Sequence, residues 1–204
     1  MGAPFVPYLL ADAKGAPPSL RPFYSERFVW LPNTYLPTSH AHFDPVPEPL
    51  SHPSAVLSLG SFNRPQKLDP ELFGTWIGAT IRSAAGRLGQ AQALYGSLKQ
   101  LTDEVSARGL PTSRFFATPV AHPRSKYLQM LHDTDLVMDA RVFSGATTNL
   151  DALWSGTPVV AISGQNLVTR PGVSYRSSLN RCGVVVVSTL REYEDAVAAL
   201  STES

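Results

Sequence analysis

The sequence predicts an α/β protein with a Rossmann-like, doubly wound and mostly parallel sheet. Two observations support this prediction: from residue 53 onward short apolar runs alternate with amphipathic stretches, and glycines or helix-capping residues separate them. Strands that alternate with helices in this way build βαβ units, whose strands lie parallel. Ligands of such sheets bind beyond the carboxyl ends of the strands, so the functional residues are expected in the loops that follow the strands.

The predicted elements follow one another closely along this region. Asp69 before Pro70 is a favourable N-cap followed by proline in the first turn, so a helix begins there. Apolar residues at helical spacing then continue to Gly86, which predicts a helix over 70–86. The four valines of 184–187 predict a strand. By the same reasoning we expect further strands at 55–62, 91–95, 114–118, 136–139 and 158–162, and further helices at 98–108, 125–132, 148–155 and 190–200.

The first part of the chain differs from the rest, because most of its 18 prolines lie before residue 54. Proline fixes φ and lacks a backbone donor, so long helices and central strands are disfavoured there. Apolar stretches at 8–11 and 27–31 predict two strands. We expect them to belong to a sheet whose other strands come from outside this segment. Residues 45–49 predict an extended linker. We therefore expect a Pro-rich segment at 1–52 and a main lobe at 53–204.

Composition excludes several classes of function. A net charge of +1 on 204 residues gives no overall attraction for nucleic acid or an anionic membrane. No apolar run reaches the roughly 18 residues of a membrane span, and residues 1–11 lack the basic start of a signal peptide. We therefore expect a cytoplasmic or nuclear protein without membrane or nucleic-acid partners. A single cysteine excludes an intramolecular disulfide, and His40-Ala41-His42 lacks the acidic or thiol neighbours of a metal site, so no metal is expected.

The loop after strand 136–139 has the composition of a phosphate site. Ser144, Gly145 and Ala146 are small enough to let the backbone approach a ligand, which makes Gly145 a candidate binding residue. Thr147 and Thr148 then open a helix, and a helix N-terminus attracts anions through its free N–H groups and its dipole.

Asp151 lies one turn further along this helix, on the side of Thr147 and Thr148. A carboxylate at this position can accept hydrogen bonds from the vicinal hydroxyls of a ribose, as in dinucleotide sites. An ordinary capped helix start, with threonine and aspartate in its first turn, explains the same pattern.

The loop after strand 55–62 carries two cations, Arg64 and Lys67. They stand at the carboxyl end of the first strand of the main lobe, where a phosphate would lie. Lysine supplies a compact charge that suits a diphosphate leaving group. A solvated loop lysine remains the alternative.

The loop after strand 114–118 offers backbone amides around Ala121, which can read the edge of a base. His122, Arg124 or Lys126 can pack on that base. A polar turn before the next helix remains the alternative.

Residues 139–160, DARVFSGATTNLDALWSGTPVV, resemble the donor-binding segment of the O-linked N-acetylglucosamine transferases and the related SPINDLY proteins. Further segments agree with this family in order and spacing, so the resemblance covers essentially the whole chain. These segments are Tyr24-Ser25-Glu26 with Leu31-Pro32, Phe62-Asn63 with Lys67-Leu68-Asp69-Pro70, Pro119-Val120-Ala121, Arg170 and residues 191–195.

The resemblance implies the C-terminal lobe of a GT-B-type glycosyltransferase, with residues 1–52 as the end of the N-terminal catalytic lobe. It implies transfer of GlcNAc from the nucleotide sugar UDP-GlcNAc to Ser or Thr of acceptor proteins, without a metal or cofactor. By matching positions, Lys67 contacts the diphosphate, Thr147 and Thr148 hold phosphate oxygens, Asp151 binds ribose hydroxyls and the backbone at Ala121 meets the uracil. The acceptor-side catalytic histidine of the family matches no position here, so no catalytic residue is assigned.

Four positions depart from the family pattern. Ala146 replaces a histidine that donates to phosphate, Pro123 replaces a lysine, Lys126 stands in place of a base-stacking histidine and Arg64 in place of a glutamine. Two alternatives to UDP-GlcNAc transfer therefore stay open. One is a SPINDLY-like O-fucosyltransferase that uses GDP-fucose, which Ala146 favours and Asp151 disfavours. The other is a non-catalytic module that binds only nucleotide or a partner, which Ala146 and Pro123 favour.

Overall fold

The structure, a computed structural model, describes residues 2–45, 47–48, 56–91, 95–118 and 121–201. The strands are β1 (Tyr8–Asp12), β2 (Arg27–Leu31), β3 (Ser58–Ser61), β4 (Arg87–Ala91), β5 (Phe115–Thr118), β6 (Leu136–Met138), β7 (Val159–Ile162) and β8 (Val184–Val187). The helices are α1 (His40–Phe43), α2 (Pro70–Arg82), α3 (Tyr95–Ala107), α4 (Arg124–His132), α5 (Thr147–Trp154), α6 (Pro171–Ser178) and α7 (Leu190–Leu200).

The main lobe is built on a six-stranded sheet in the order β5-β4-β3-β6-β7-β8, in which every pair is parallel. The strands β3, β4 and β5 extend the sheet in one direction, and β6, β7 and β8 extend it in the other direction. This is the Rossmann strand order, with its crevice beyond the carboxyl ends of β3 and β6. The predicted doubly wound parallel sheet is confirmed.

Two apolar layers cover the faces of this sheet. On one face α2 and α7 bury Leu72, Trp76 and Tyr193 against β3 and β6. On the other face α4 and α5 bury Leu128 and Ala152, among others. At about 25 cal/mol per Å² of buried apolar surface, these two layers supply most of the driving force for folding.

The predicted strand at 91–95 is wrong, and the predicted helix at 70–86 is too long. The strand lies at 87–91, while residues 92–94 fall outside the described part of the chain, as does Ala55. Arg114 donates to the carbonyl oxygens of Thr80 and Ser83 at 2.5 Å and of Gly86 at 2.8 Å, which holds the turn that ends α2. A weak strand signal explains the error, because β4 contains glycine and glutamine in place of β-branched residues.

The two predicted N-terminal strands are present, and they pair with each other in parallel. One face of the pair packs Ala11 and Phe28 against Leu167 of the main lobe. The opposite face exposes Leu10 and Val29, at 59% and 41%. Parallel sheets normally have both faces covered, so membership in a larger sheet stays a prediction. Residues 46 and 49 of the predicted linker lie outside the described residues.

Polar contacts fix this first segment to the carboxyl edge of the main lobe. Ser174 donates to the buried carboxylate of Asp12 at 2.6 Å, and Arg170 donates to the carbonyl of Lys14 at 3.1 Å. Ser174 belongs to α6, which was not predicted from the sequence. The short helix α1 was not predicted either. Of the described helices, none has the length and hydropathy needed to cross a membrane.

Candidate functional site

A cavity of about 430 Å³ opens at the carboxyl edge of the sheet, where β3 and β6 lie side by side. The loop after β3, the start of α4 and the start of α5 form its walls. Five of the six residues predicted from the sequence line it, namely Lys67, Ala121, Thr147, Thr148 and Asp151. The structure therefore brings together three loops that are far apart in the chain.

Asp139, at the carboxyl end of β6, organises the loop that leads into α5. Its side chain is fully buried, and its Oδ1 accepts from the backbone N–H of Ala140 at 2.8 Å and of Gly145 at 2.7 Å. The side-chain amide of Asn63 donates to Oδ1 at 3.1 Å, and the hydroxyl of Ser144 donates to Oδ2. Burial raises the pKa of Asp139, and these donors oppose that rise. We call Asp139, Asn63, Ser144 and Gly145 the Asp139 cradle.

Gly145 lies behind the cavity and does not line it, so its predicted contact with a ligand is not supported. A Cβ at this position would lie 2.6 Å from Oδ1 of Asn149 and 3.1 Å from Oδ1 of Asn63. A side chain there would force the buried Asn149 amide to shift. The small size of Gly145 therefore serves the packing of the Asp139 cradle and the position of the α5 start.

The N-terminus of α5 is open toward the cavity. Its N-cap residue is Ala146, which has no side-chain oxygen, and no side chain of the described part caps the first turn. The alternative of an ordinary side-chain cap therefore does not apply. Thr147 and Thr148 of the first turn line the cavity, and the hydroxyl of Tyr175 holds the Ala146 carbonyl at 3.0 Å. The first-turn N–H groups and the helix dipole place partial positive charge at this wall.

Lys67 reaches the cavity from the loop after β3. Its Nζ donates to Oδ1 of Asn63 at 2.9 Å and lies 4.7 Å from the ring centroid of Phe143. Because the side chain of Asn63 also donates to Asp139, Asn63 links Lys67 to the Asp139 cradle. The side-chain amide of Gln90 donates to the Asn63 carbonyl at 2.7 Å and holds the Asn63 backbone in place. Burial lowers the pKa of Lys67, and the charge of Asp139 opposes this.

Asp151 is buried, and its carboxylate already has partners. Oδ1 accepts from Nε2 of His40 at 2.7 Å and from Nη2 of Arg124 at 2.7 Å. Arg124 also binds both oxygens of Asp44, at 2.5 Å and 2.8 Å, and the two carboxylates raise its pKa. We call His40, Asp44, Arg124 and Asp151 the α1 clamp. Arg124 also lines the cavity, so its predicted packing on a base stays a prediction.

The wall near Ala121 also includes His122 and Tyr127. Lys126 is exposed and is not part of the lining, so it is not placed to stack on a bound base. Tyr127 meets Phe62 edge to face, with ring centroids 6.0 Å apart. Pro119 and Val120 of the predicted base-reading loop lie outside the described residues. Within the described ranges, no three histidine, cysteine or acidic side chains converge as metal ligands.

Sequence reasoning missed the roles of Asp139, Asn63 and His40. Asp139 and Asn63 had a usable signal, because they lie one and two residues after strands that end at the carboxyl edge of the sheet. His40 had none, since its partner Asp151 lies 111 residues further along the chain.

Comparison with known families gives one clear match. The model of the family described as Glycosyl transferase family 41 matches residues 49–204. A probable UDP-N-acetylglucosamine–peptide N-acetylglucosaminyltransferase, SEC of Arabidopsis thaliana, is 25% identical over 98% of this chain and 21% of the relative. The UDP-N-acetylglucosamine–peptide N-acetylglucosaminyltransferase of Caenorhabditis elegans is 27% identical over 85% of this chain and 14% of its own length. The chain thus spans about a fifth or less of these relatives.

Solved structures agree with the fold. A mutant of the Thermobaculum terrenum O-GlcNAc transferase superposes with a TM-score of 0.79 at 28% identity, covering 95% of this chain and 37% of that chain. The structure of TarM, at 13% identity and a TM-score of 0.63, covers 98% of this chain and 37% of that chain and supports the fold alone. Together with the strand order, these matches confirm the predicted fold class, a lobe of the GT-B type.

Proposed function

The chain belongs to glycosyl transferase family 41, and we propose that it is the nucleotide-sugar-binding part of a protein O-N-acetylglucosaminyltransferase. The donor would be UDP-GlcNAc, and the acceptors would be Ser or Thr hydroxyls of proteins. One observation carries the proposal: a single cavity collects a lysine, an uncapped helix N-terminus and a buried carboxylate at the switch point of the sheet. These are the groups that a diphosphate and a ribose require.

The chemical contribution of this cavity is stabilisation of the leaving group. When the bond between the anomeric carbon and the diphosphate breaks, negative charge develops on the diphosphate oxygens. The N-terminus of α5 and the ammonium of Lys67 are fixed before the reaction, so they stabilise that charge without reorganisation. Removal of one such donor typically lowers the rate by about 10²–10³.

The departures at Ala146 and Pro123 remove two donors that the family pattern has at this site. Arg64 lines the cavity on the same loop as Lys67, so a second cation is present near the proposed diphosphate position. His122 is the side chain next to Ala121 in the lining and takes the proposed place beside the base. Both assignments are part of the proposal.

Ligand-induced thermal stabilisation tests the proposed function. UDP at about 100 times its dissociation constant should stabilise the 204-residue chain by about 2.7 kcal/mol. GDP at the same concentration should give a smaller shift, because we expect the pocket to select uridine. UDP-GlcNAc should behave like UDP.

The alternatives predict different results in the same experiment. A larger shift with GDP than with UDP would support a guanosine donor and contradict the proposal. The absence of a shift with either nucleotide would show that the cavity does not bind a nucleoside diphosphate.

A further inference from the structure

His40 is buried in the first segment, where its Nε2 faces the carboxylates of Asp151 and Asp44. Its side chain is 7% exposed, and Nε2 lies 2.7 Å from Oδ1 of Asp151 and 3.7 Å from Oδ2 of Asp44. The ring does not line the nucleotide cavity; it stands behind Asp151. Asp151, which does line the cavity, is therefore the direct link between His40 and a ligand.

Two residues of α5, Asp151 and Trp154, contact the ring of His40. Its ring stacks on Trp154, with centroids 5.6 Å apart and planes at 30°. Trp154 lies three residues after Asp151, so the two side chains share one face of α5. Nε1 of Trp154 also donates to the Pro45 carbonyl at 3.2 Å, which anchors the end of the segment that carries His40. The ring of His40 is thereby fixed in the position from which Nε2 reaches the carboxylate.

The remaining acceptor capacity of Asp151 faces the cavity side. Oδ1 accepts from His40 and Arg124 at 2.7 Å, while Nη1 of Arg124 lies 3.5 Å from Oδ2. The Tyr127 hydroxyl also lies within hydrogen-bonding reach of this carboxylate, in the same cavity lining. A carboxylate has about four lone-pair sites, and because the Nη1 contact is long, one of them is available to a ribose hydroxyl. Two strong bonds on Oδ1 fix the plane of the carboxylate and therefore the direction of that acceptor.

We propose that His40 is a positioning residue, which holds the Asp151 carboxylate in the orientation that binds the ribose hydroxyls of the nucleotide. This inference rests on the proposed function, since it assigns the ribose to Asp151. It makes a residue of the Pro-rich first segment part of the nucleotide site of the main lobe. His42, two residues away on α1, is exposed and provides a matched control.

The test compares UDP with 2′,3′-dideoxy-UDP, which lacks both ribose hydroxyls, in calorimetric titrations of the 204-residue chain. A hydrogen bond to a charged group is worth a factor of about 10–100 in affinity, so the wild-type chain should bind UDP about that much more tightly. In His40→Leu this preference should fall roughly threefold to tenfold, while the affinity for the dideoxy nucleotide stays unchanged. His42→Leu should keep the full preference.

A second variant separates positioning from packing. In His40→Gln an amide N–H can replace Nε2 and should restore most of the preference, whereas leucine preserves more of the apolar contact with Trp154. The reverse order, or an unchanged preference in His40→Leu, would overturn the inference and leave the proposed function standing. Equal binding of the two nucleotides by the wild-type chain would overturn the assignment of the ribose to Asp151, and with it this inference, whereas binding of neither nucleotide would overturn the proposed function. If His40→Leu does not fold, His40→Asn replaces it in the test. The asparagine amide is too short to reach Asp151, so the preference for UDP over the dideoxy nucleotide should fall in the same way.

Discussion

The start of α5 and its second turn are held by different kinds of structure. The Asp139 cradle holds the N-terminus with a fully buried carboxylate and donors that are backbone or neutral side chains, all from the main lobe. The α1 clamp holds Asp151, in the second turn, with an ion pair to the half-exposed Arg124 and a hydrogen bond to His40, and His40 and Asp44 of the clamp belong to the first segment. The diphosphate end of the proposed site is therefore complete within the main lobe. The ribose end depends on the position of the first segment.

The largest effect is expected from breaking the Asp139 cradle. Asp139→Ala leaves several buried donors without an acceptor, each costing about 1–3 kcal/mol, so the free energy of unfolding should fall by about 3–5 kcal/mol. Urea denaturation measures this loss. Asp103→Ala removes an exposed carboxylate paired with Lys99 and should change the free energy of unfolding by less than about 0.5 kcal/mol. A similar small change in both variants would contradict a supporting role for the cradle.

The next effect concerns the ligand at the cradle end. Lys67→Ala removes a partly buried ammonium from the proposed diphosphate position, so the dissociation constant for UDP should rise about 10–100-fold. Isothermal titration calorimetry gives this constant directly. Lys99→Ala, which removes a lysine that is 80% exposed on α3, is the control and should bind UDP like the wild-type chain. Equal affinity in both variants would remove Lys67 from the site.

The lowered pKa of Lys67 adds a dependence on pH at the start of α5. Because burial holds this pKa below its ordinary value of 10.5, the ammonium loses its proton earlier than a surface lysine as the pH rises. UDP affinity should therefore fall on the alkaline side, at a pH below 10.5. Lys67→Arg should remove this fall, since arginine stays charged. Parallel pH profiles of the two proteins would show that another group titrates.

The smallest effect is expected at the outer part of the clamp. Asp44→Asn weakens the pair with Arg124 but leaves the bond of Arg124 to Asp151, so UDP affinity should fall only about twofold to threefold. The difference should shrink as salt is added, because ions screen a partly exposed pair. Asp195→Asn, which weakens an exposed pair with Arg82 on the opposite side of the sheet, is the control. A loss of UDP affinity as large as that of Lys67→Ala would mean that the start of α5 and its second turn are not held independently.

Much of the fold could be read from the chain, because the alternation of apolar runs and helix signals is local. The starts of α2 and α7 carry side-chain caps, from Asp69 and Thr189, and both were predicted at the residue where they begin. The strand β4 was misplaced, since its sequence Arg-Leu-Gly-Gln-Ala has no β-branched residue. The helix α6 was missed, because glycine and serine in Pro171–Ser178 weaken its pattern, and its place is decided by packing against β7 and β8.

The candidate site was likewise predictable in part. Lys67, Thr147, Thr148 and Asp151 lie in loops or helix starts at strand ends. Each of them belongs to a short stretch of consecutive residues that resembles the family, 62–70 for Lys67 and 139–160 for the other three. Gly145 was assigned to the ligand for its size, but that size is needed for the close approach of Asn149 and Asn63. This distinction depends on distances between side chains, which a single sequence does not contain.

The sequence by itself determined the order of the strands and of most helices, the edge of the sheet where the cavity opens and five of the residues that line it. These follow from local preferences and from the topology of parallel sheets. Only the tertiary structure decided which groups hold Asp151 and the start of α5. His40, Asp44 and Arg124 meet Asp151 across long stretches of chain, and such contacts depend on how separate elements pack rather than on any pattern within one of them.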